Sequence, residues 1–226
     1  MNLANLITTL RFPLLLLVVA LMYVGGIAGQ LVDVGLIVLL MLMDTLDGVV
    51  ARRRREVTLV GSMLDVAADR AVEIVLWVVF AHRGLIPLII PVIFIVRGAL
   101  TDSIREVALR AGESPHSMMR TPRLRWLVVS PAMRSSYGAT KVLAFTTLAL
   151  AAALRTGDVA IWGATSTAGL VAAWLATALC VARGLPVMLD AGHLFRLTEL
   201  QGTAPELQAR LTVSSAHPLT GRDRAE

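Results

Sequence analysis

Four aspartates fall in two pairs within one 26-residue stretch of the chain, DTLDGVVARRRREVTLVGSMLDVAAD, from Asp44 to Asp69. The first pair is Asp44 and Asp47, the second Asp65 and Asp69, and strongly apolar sequence lies on both sides (GLIVLLMLM before, AVEIVLWVVF after). Carboxylates at the margin of a hydrocarbon layer are unfavourable unless they have a partner, so their presence there marks a site. On a helix, residues three or four apart share a face, and each pair therefore presents both carboxylates in one direction. The basic run Arg52–Arg55 marks the turn between two apolar helices, and the pairs lie at similar distances from it. At ~1.5 Å of rise per residue they reach similar depth, so antiparallel packing would gather the four oxygen-ligand side chains. Hard oxygen ligands suit Mg²⁺, Mn²⁺ or Ca²⁺ and not zinc. Gly48 and Gly61 remove side chains where helices or a ligand must approach closely.

The elements that must hold this stretch are membrane helices. The chain is 56% hydrophobic with a mean hydropathy of +0.73, and it contains six apolar runs near the ~20 residues needed to cross a bilayer. This predicts an all-α, polytopic membrane protein with six transmembrane helices, spanning about 12–24, 31–51, 59–81, from 85 onward, 137–154 and 159–182. Residues 1–11 read as a separate amphipathic helix at the interface, with Leu3, Leu6, Ile7 and Leu10 opposite Asn2, Asn5, Thr8 and Thr9. Turns are expected at Gly25–Gln30, at His82–Gly84 with His82 an exposed loop residue, and at Arg155–Asp158. A basic loop is expected over 110–134. The membrane domain is thus 1–184. Residues 185–226 form a polar C-terminal tail with two short amphipathic stretches, at 191–200 and 205–211.

Basic residues number 21 against 16 acidic, and 20 of the 21 are arginine. In a membrane protein this excess points to topology and anionic lipid contact, with no nucleic-acid partner. Arg52–Arg55 and five further arginines (Arg110, Arg120, Arg123, Arg125 and Arg134) fall in the loops after the second and fourth spans. Arg83 and Arg155 are alone in theirs. Both termini and the aspartates are therefore expected on the cytoplasmic side of a cell membrane. Cys180 is the only cysteine, which rules out an intrachain disulfide. A buried hydrophobic role is expected for it.

The aspartate stretch reads D-x2-D-G-x2-A-R-x8-G-x3-D-x3-D, eight fixed positions met without departure. It resembles the signature of the CDP-alcohol phosphatidyltransferases, integral membrane enzymes of phospholipid synthesis. The order Asn5-x2-Thr8-x2-Arg11-x-Pro13 is similar, more loosely, to the opening of many members. The resemblance implies transfer of a phosphatidyl group from CDP-diacylglycerol to an alcohol, with release of CMP. It implies that Asp44, Asp47, Asp65 and Asp69 hold Mg²⁺ (or Mn²⁺), with Asp69 also the general base toward the acceptor hydroxyl. The nucleotide would pack on Gly48, Ala51, Arg52, Gly61 and Ser62, roofed by Asn5 and Thr8. Members are commonly homodimers, which is the expectation here.

Lys141, the only lysine, sits in an apolar run, and Arg97 and Arg105 are eight residues apart on the fourth span. Three cations beside a carboxylate cluster make an anion pocket of the kind phosphate recognition requires. The structural alternatives are snorkelling of Lys141 and ion pairing within the bundle to Glu73, Asp102 or Glu106. The pattern Arg97-x7-Arg105-Glu106, followed by Gly138-x2-Lys141, is similar to that of phosphatidylglycerophosphate synthases, whose acceptor is glycerol 3-phosphate. The chain departs from it at Gly98, where those enzymes commonly carry glutamate, and in a longer loop before Gly138. A small phosphorylated alcohol is therefore the expected acceptor: glycerol 3-phosphate first, inositol phosphate next, then serine or phosphatidylglycerol. An intramembrane-aspartate cation transporter is the reading from a different class, but it does not require Gly48, Ala51, Arg52 and Gly61 at these spacings.

Overall fold

The computed structural model describes the backbone of residues 3–54, 59–110 and 130–190, with side chains for 6–44, 61, 63–104, 106 and 130–189. The described residues contain no strand and form six helices: α1 (Leu3–Val24), α2 (Gly26–Arg54), α3 (Leu59–His82), α4 (Ile89–Arg110), α5 (Pro131–Thr156) and α6 (Trp162–Asp190). Long apolar sequence settles into helices because each backbone N–H and C=O then finds its partner within the segment. Successive helices pack as antiparallel pairs, α1 with α2, α3 with α4, and α5 with α6; α2 also lies against α5, α1 against α3, and α4 against α6.

Two kinds of packing join them. The closely packed pair α5–α6 is rich in buried small residues, Ala144, Ala149 and Ala152 on one helix and Ala172, Ala173 and Ala176 on the other. A Cβ on Gly169 would stand 2.8 Å from Leu148 Cδ2, so the backbones approach as closely as small residues permit. Between α3, α4 and α5 the core is aromatic. Trp77 stacks on Phe94 at 4.8 Å and meets Phe145 at 4.6 Å, and all three rings are buried. This cluster fixes α3 two turns beyond Asp69.

Several boundaries differ from the sequence expectations. Of the segment 1–11, expected as a separate helix, the described residues 3–11 are continuous with the first span. α1 runs unbroken from Leu3 to Val24 through Pro13, with the turn that holds Thr8 and Arg11 buried. The first turn shrinks from six residues to Gly25, with Gly26 at φ +55° opening α2. A Cβ on Gly25 would lie 2.6 Å from the Leu21 carbonyl oxygen and 3.0 Å from Gly29 Cα, both backbone. Gly25→Ala should therefore force the α1–α2 hairpin apart, costing about 1–3 kcal/mol and lowering the midpoint of thermal unfolding in detergent by several degrees. An unchanged midpoint would show that the hairpin can open freely.

The other two tight turns end helices in the same way. After α3, Gly84 (φ +69°) lets Leu85 N–H reach the Phe80 carbonyl at 3.0 Å. After α5, Asp158 (φ +51°) does the same for Val159 N–H and the Leu154 carbonyl, also at 3.0 Å. α5 starts at Pro131, earlier than expected, and takes Arg134 out of the basic loop. The rest of that loop, 111–129, and the tail from 191 lie outside the described residues, as does any second chain.

Among the described residues four helices are long and apolar enough to cross a membrane, over Leu6–Val24, Gly26–Asp44, Pro131–Thr156 and Trp162–Leu189. Exposed Leu16, Leu31, Val32, Leu42 and Val171 give these helices an apolar exterior, which fits a membrane protein. α3 and α4 carry more charge, with Asp65, Asp69, Arg70 and Glu73 on one and Arg97, Asp102, Arg105 and Glu106 on the other.

Candidate active site

The site begins with a buried arginine. Arg11 on α1 is 0% exposed, and its Nη1 lies 2.9 Å from Asp44 Oδ1 on α2 and 3.6 Å from Asp65 Oδ1 on α3. The two carboxylates are themselves 41% and 46% exposed. One acid from each predicted pair thus converges on a single positive charge, with the guanidinium behind and the open face in front. Helix spacing explains the arrangement: Asp65, Asp69, Glu73 and Trp77 recur every four residues, a slowly drifting stripe that descends α3 from the opening to the aromatic core.

Asp69, half-buried, is the next step down that stripe, within electrostatic reach of Lys141, Asp44, Glu73 and Arg11. Below it Glu73 is buried and fully engaged. Tyr137 donates its hydroxyl to Oε1 at 2.7 Å, Lys141 Nζ stands 3.1 Å from the same oxygen, and Arg70 lies 3.5 Å from Oε2. Arg70 also reaches Asp102 Oδ1 on α4 at 3.2 Å. Lys141 and Arg183 lie over the Tyr137 ring at 4.8 and 5.3 Å. Arg97 runs along α6 beside Cys180, which is buried as expected, and its path needs Gly184: a Cβ there would be 2.6 Å from Arg97 Nε. Cations from α3, α4, α5 and α6 therefore gather on the inner side of Asp69.

Of the residues singled out in the sequence, Asp44, Asp65, Asp69 and Lys141 are brought into one charged network, and Arg97 lies beside its inner end. Thr8 is buried on α1, one turn from Arg11, and Gly61 is half-buried near the start of α3. Asn5, Asp47, Gly48, Ala51, Arg52, Ser62 and Arg105 stand on helical backbone, with side chains outside the described residues. α2 continues through Arg54, so Asp47, Gly48 and Ala51 follow Asp44 on the same helix. The ion pair of Lys141 with Glu73 is one of the structural alternatives weighed for that lysine. Sequence reading missed Arg70 and Tyr137 as partners of Glu73. The signal available was position, since Arg70 and Glu73 are three apart on one helix. Asp33 was also missed. It is buried on α2 at 1% exposure, and neither carboxylate oxygen has a hydrogen-bond partner among the described residues. Eleven residues before Asp44, it is ~16 Å away along the helix and outside this site.

Among the described residues no three His, Cys, Asp or Glu side chains form a group that could hold a metal ion. The donor chemistry nevertheless suits a hard divalent cation. Asp44 and Asp65 already share one cationic partner, and Asp47 belongs to the same helix turn as Asp44. Replacing Arg11 tests this. Arg11→Met would leave the carboxylates facing each other, at a cost of about 2 kcal/mol after discounting for their exposure. The thermal midpoint should fall by several degrees in chelator and recover in millimolar Mg²⁺. A midpoint indifferent to Mg²⁺ in this variant would count against the carboxylates as a cation site.

The model of the family described as CDP-alcohol phosphatidyltransferase matches residues 1–182. The chain belongs to that family. No individual curated protein gives a match. As a CDP-alcohol phosphatidyltransferase the chain is a phosphotransferase of phospholipid biosynthesis, moving a phosphatidyl group from a CDP-alcohol to an acceptor alcohol. The match takes in every helix that contributes to the charged network, from Arg11 to Cys180, and leaves out only its inner edge at Arg183 and Gly184.

Proposed function

We propose that this phosphatidyltransferase uses CDP-diacylglycerol as donor and glycerol 3-phosphate as acceptor, releasing CMP. The observation that carries the reading is the side-by-side placement of two unlike charge clusters. Carboxylates stand at the open end (Asp44 and Asp65), Asp69 follows one step inside, and cations (Lys141 with Arg97) lie beyond it. A doubly charged phosphate monoester suits the second cluster and a nucleotide pyrophosphate the first. Arg105, two turns beyond Arg97 on α4, would add to the acceptor side.

Asp69 takes the proton of the acceptor hydroxyl, and the freed oxygen attacks the phosphatidyl phosphorus as the P–O bond to CMP breaks. Asp69 stands between the two clusters, where a hydroxyl would lie if its phosphate were held at Lys141. Asp44, Asp47, Asp65 and Asp69 are the residues that would hold Mg²⁺ or Mn²⁺, which when bound polarises the phosphorus and neutralises charge on the leaving nucleotide. Asn5, Thr8, Gly48, Ala51, Arg52, Gly61 and Ser62 would line the nucleotide, with Arg52 on phosphate. α3 and α4 would complete six membrane spans, their charges turned into the bundle. The open end and both termini would face the cytoplasm, where soluble nucleotide and acceptor meet the lipid, and the enzyme would work as a homodimer.

The test is CMP release by the purified protein from CDP-diacylglycerol and Mg²⁺, with glycerol 3-phosphate and inositol phosphate offered separately. Turnover with glycerol 3-phosphate and not with inositol phosphate is the expected outcome. Turnover with inositol phosphate alone would transfer the cationic cluster to that acceptor. Turnover with neither would remove phosphate recognition from the reading.

A further inference from the structure

At the end of the bundle away from Asp44 and Asp65, three helix ends enclose an open cavity of about 430 Å³. Tyr23 comes from the end of α1, His82, Arg83 and Leu85 from the end of α3 and its turn, and Arg155 and Thr156 from the end of α5. Two of the lining residues are arginines and none is acidic. The predicted orientation makes this the arginine-poor face, yet Arg83 and Arg155, the sole arginines of their respective turns, meet at one opening.

The protein holds both guanidiniums in place without using up their donors. Arg83 Nη1 donates to the Met22 carbonyl, and Arg83 lies over the Tyr23 ring at 5.8 Å. Arg155 Nη1 donates to the Arg83 carbonyl at 3.3 Å, and Arg155 lies over the Trp162 ring at 5.8 Å. Tyr23 and His82 share a 2.7 Å hydrogen bond that ties the end of α1 to the end of α3 beside Arg83. A guanidinium carries five N–H donors in a planar fork that matches phosphate oxygens, so most of that capacity remains for a ligand. The left-handed turns at Gly84 and Asp158 lock the two loops. Exposed Val24 follows the lining residue Tyr23 in the chain, and exposed Leu88 and Ile89 follow the lining residue Leu85 by three and four residues.

We propose that this cavity is a phosphate-binding site, separate from the reaction centre, that takes the headgroup phosphodiester of an anionic phospholipid in the leaflet on its side of the membrane. Arg83 and Arg155 grip the phosphate oxygens, His82 and Tyr23 bound the headgroup, and the acyl chains run over Leu88 and Ile89. The site does not depend on which acceptor the enzyme uses.

The experiment is native mass spectrometry of the full chain from detergent, titrated with phosphatidylglycerol, with phosphatidylcholine, or with inorganic phosphate. Wild type is compared with R83Q/R155Q and with Arg155→Gln alone. Arg155 makes a single hydrogen bond among those described, to a backbone carbonyl, so the single variant keeps the test alive should the double fail to fold. Wild type should retain a phosphatidylglycerol that phosphatidylcholine does not replace, and either variant should weaken that binding about tenfold or more. Equal retention of phosphatidylglycerol by wild type and Arg155→Gln would overturn the proposal. So would retention of inorganic phosphate without lipid preference, which would make the site one for free phosphate.

Discussion

Asp69→Asn should abolish phosphatidyl transfer while leaving CDP-diacylglycerol binding in place. The substitution is nearly isosteric and removes the carboxylate charge, and with it the ability to take a proton; three aspartates remain to hold the cation, so the expected loss is that of a general base, ~10²–10⁴-fold in kcat. The surroundings make the variant informative. Asp69 is half-buried on α3 between Arg11 and Asp44 on one side and Lys141 and Glu73 on the other. An asparagine fits the same space without disturbing the Glu73 contacts that tie α3 to α5. The measurement is CMP release under saturating and limiting acceptor, alongside equilibrium binding of the CDP-lipid. A fall in kcat with little change in the acceptor KM places the defect in the chemical step. Turnover at the wild-type rate would remove Asp69 from the base role. Loss of CDP-lipid binding together with turnover would place it on the donor side with Asp44 and Asp65.

The aspartate stretch was legible because its signal is local. Pairs at three- and four-residue spacing must share a helix face, and their similar distances from the basic run Arg52–Arg55 gave the depth at which to expect them, although α2 itself continues through Arg54. The convergence of Asp44 and Asp65 on Arg11 follows that logic. The role of Arg11 as the buried charge between them was only hinted at. A segment with alternating polar and apolar faces reads equally well as an interfacial helix or as the first turns of a span. Burial of Thr8, and of Arg11 against α2 and α3, decided for the span. The α1–α2 turn was overestimated for a related reason. Glycines signal a break but not its length, and Gly25 and Gly26 suffice for a reversal that the sequence GGIAGQ seemed to spread over six residues. Least legible was the Glu73 network. Its partners come from α3 and α5, as much as 68 residues apart, the separation of Glu73 and Lys141 (141 − 73). No periodicity within one helix encodes which face of another it will meet.

That network is where the second large effect is expected, and it decides between two accounts of Lys141. In one, Lys141 neutralises Glu73 and nothing more; in the other it also holds the acceptor phosphate. Lys141→Met alone cannot separate them. It leaves a buried carboxylate with Tyr137 and Arg70 as its remaining partners, and breaking a buried pair is destabilising in itself. The double variant E73Q/K141M can. It removes both charges together and leaves Tyr137 a neutral amide to bond, so a purely structural lysine should be dispensable in it. If Lys141 holds the acceptor phosphate, the double variant should fold as well as the wild type and still lose about 10²-fold or more in kcat/KM for glycerol 3-phosphate. Its preference for glycerol 3-phosphate over unphosphorylated glycerol should shrink by a similar factor, because only the phosphorylated acceptor uses the missing charge. Recovery of full kcat/KM in the double variant would assign Lys141 to the architecture of the bundle. The acceptor phosphate would then rest on Arg97, which reaches α6 across Gly184 without a carboxylate partner among its described contacts.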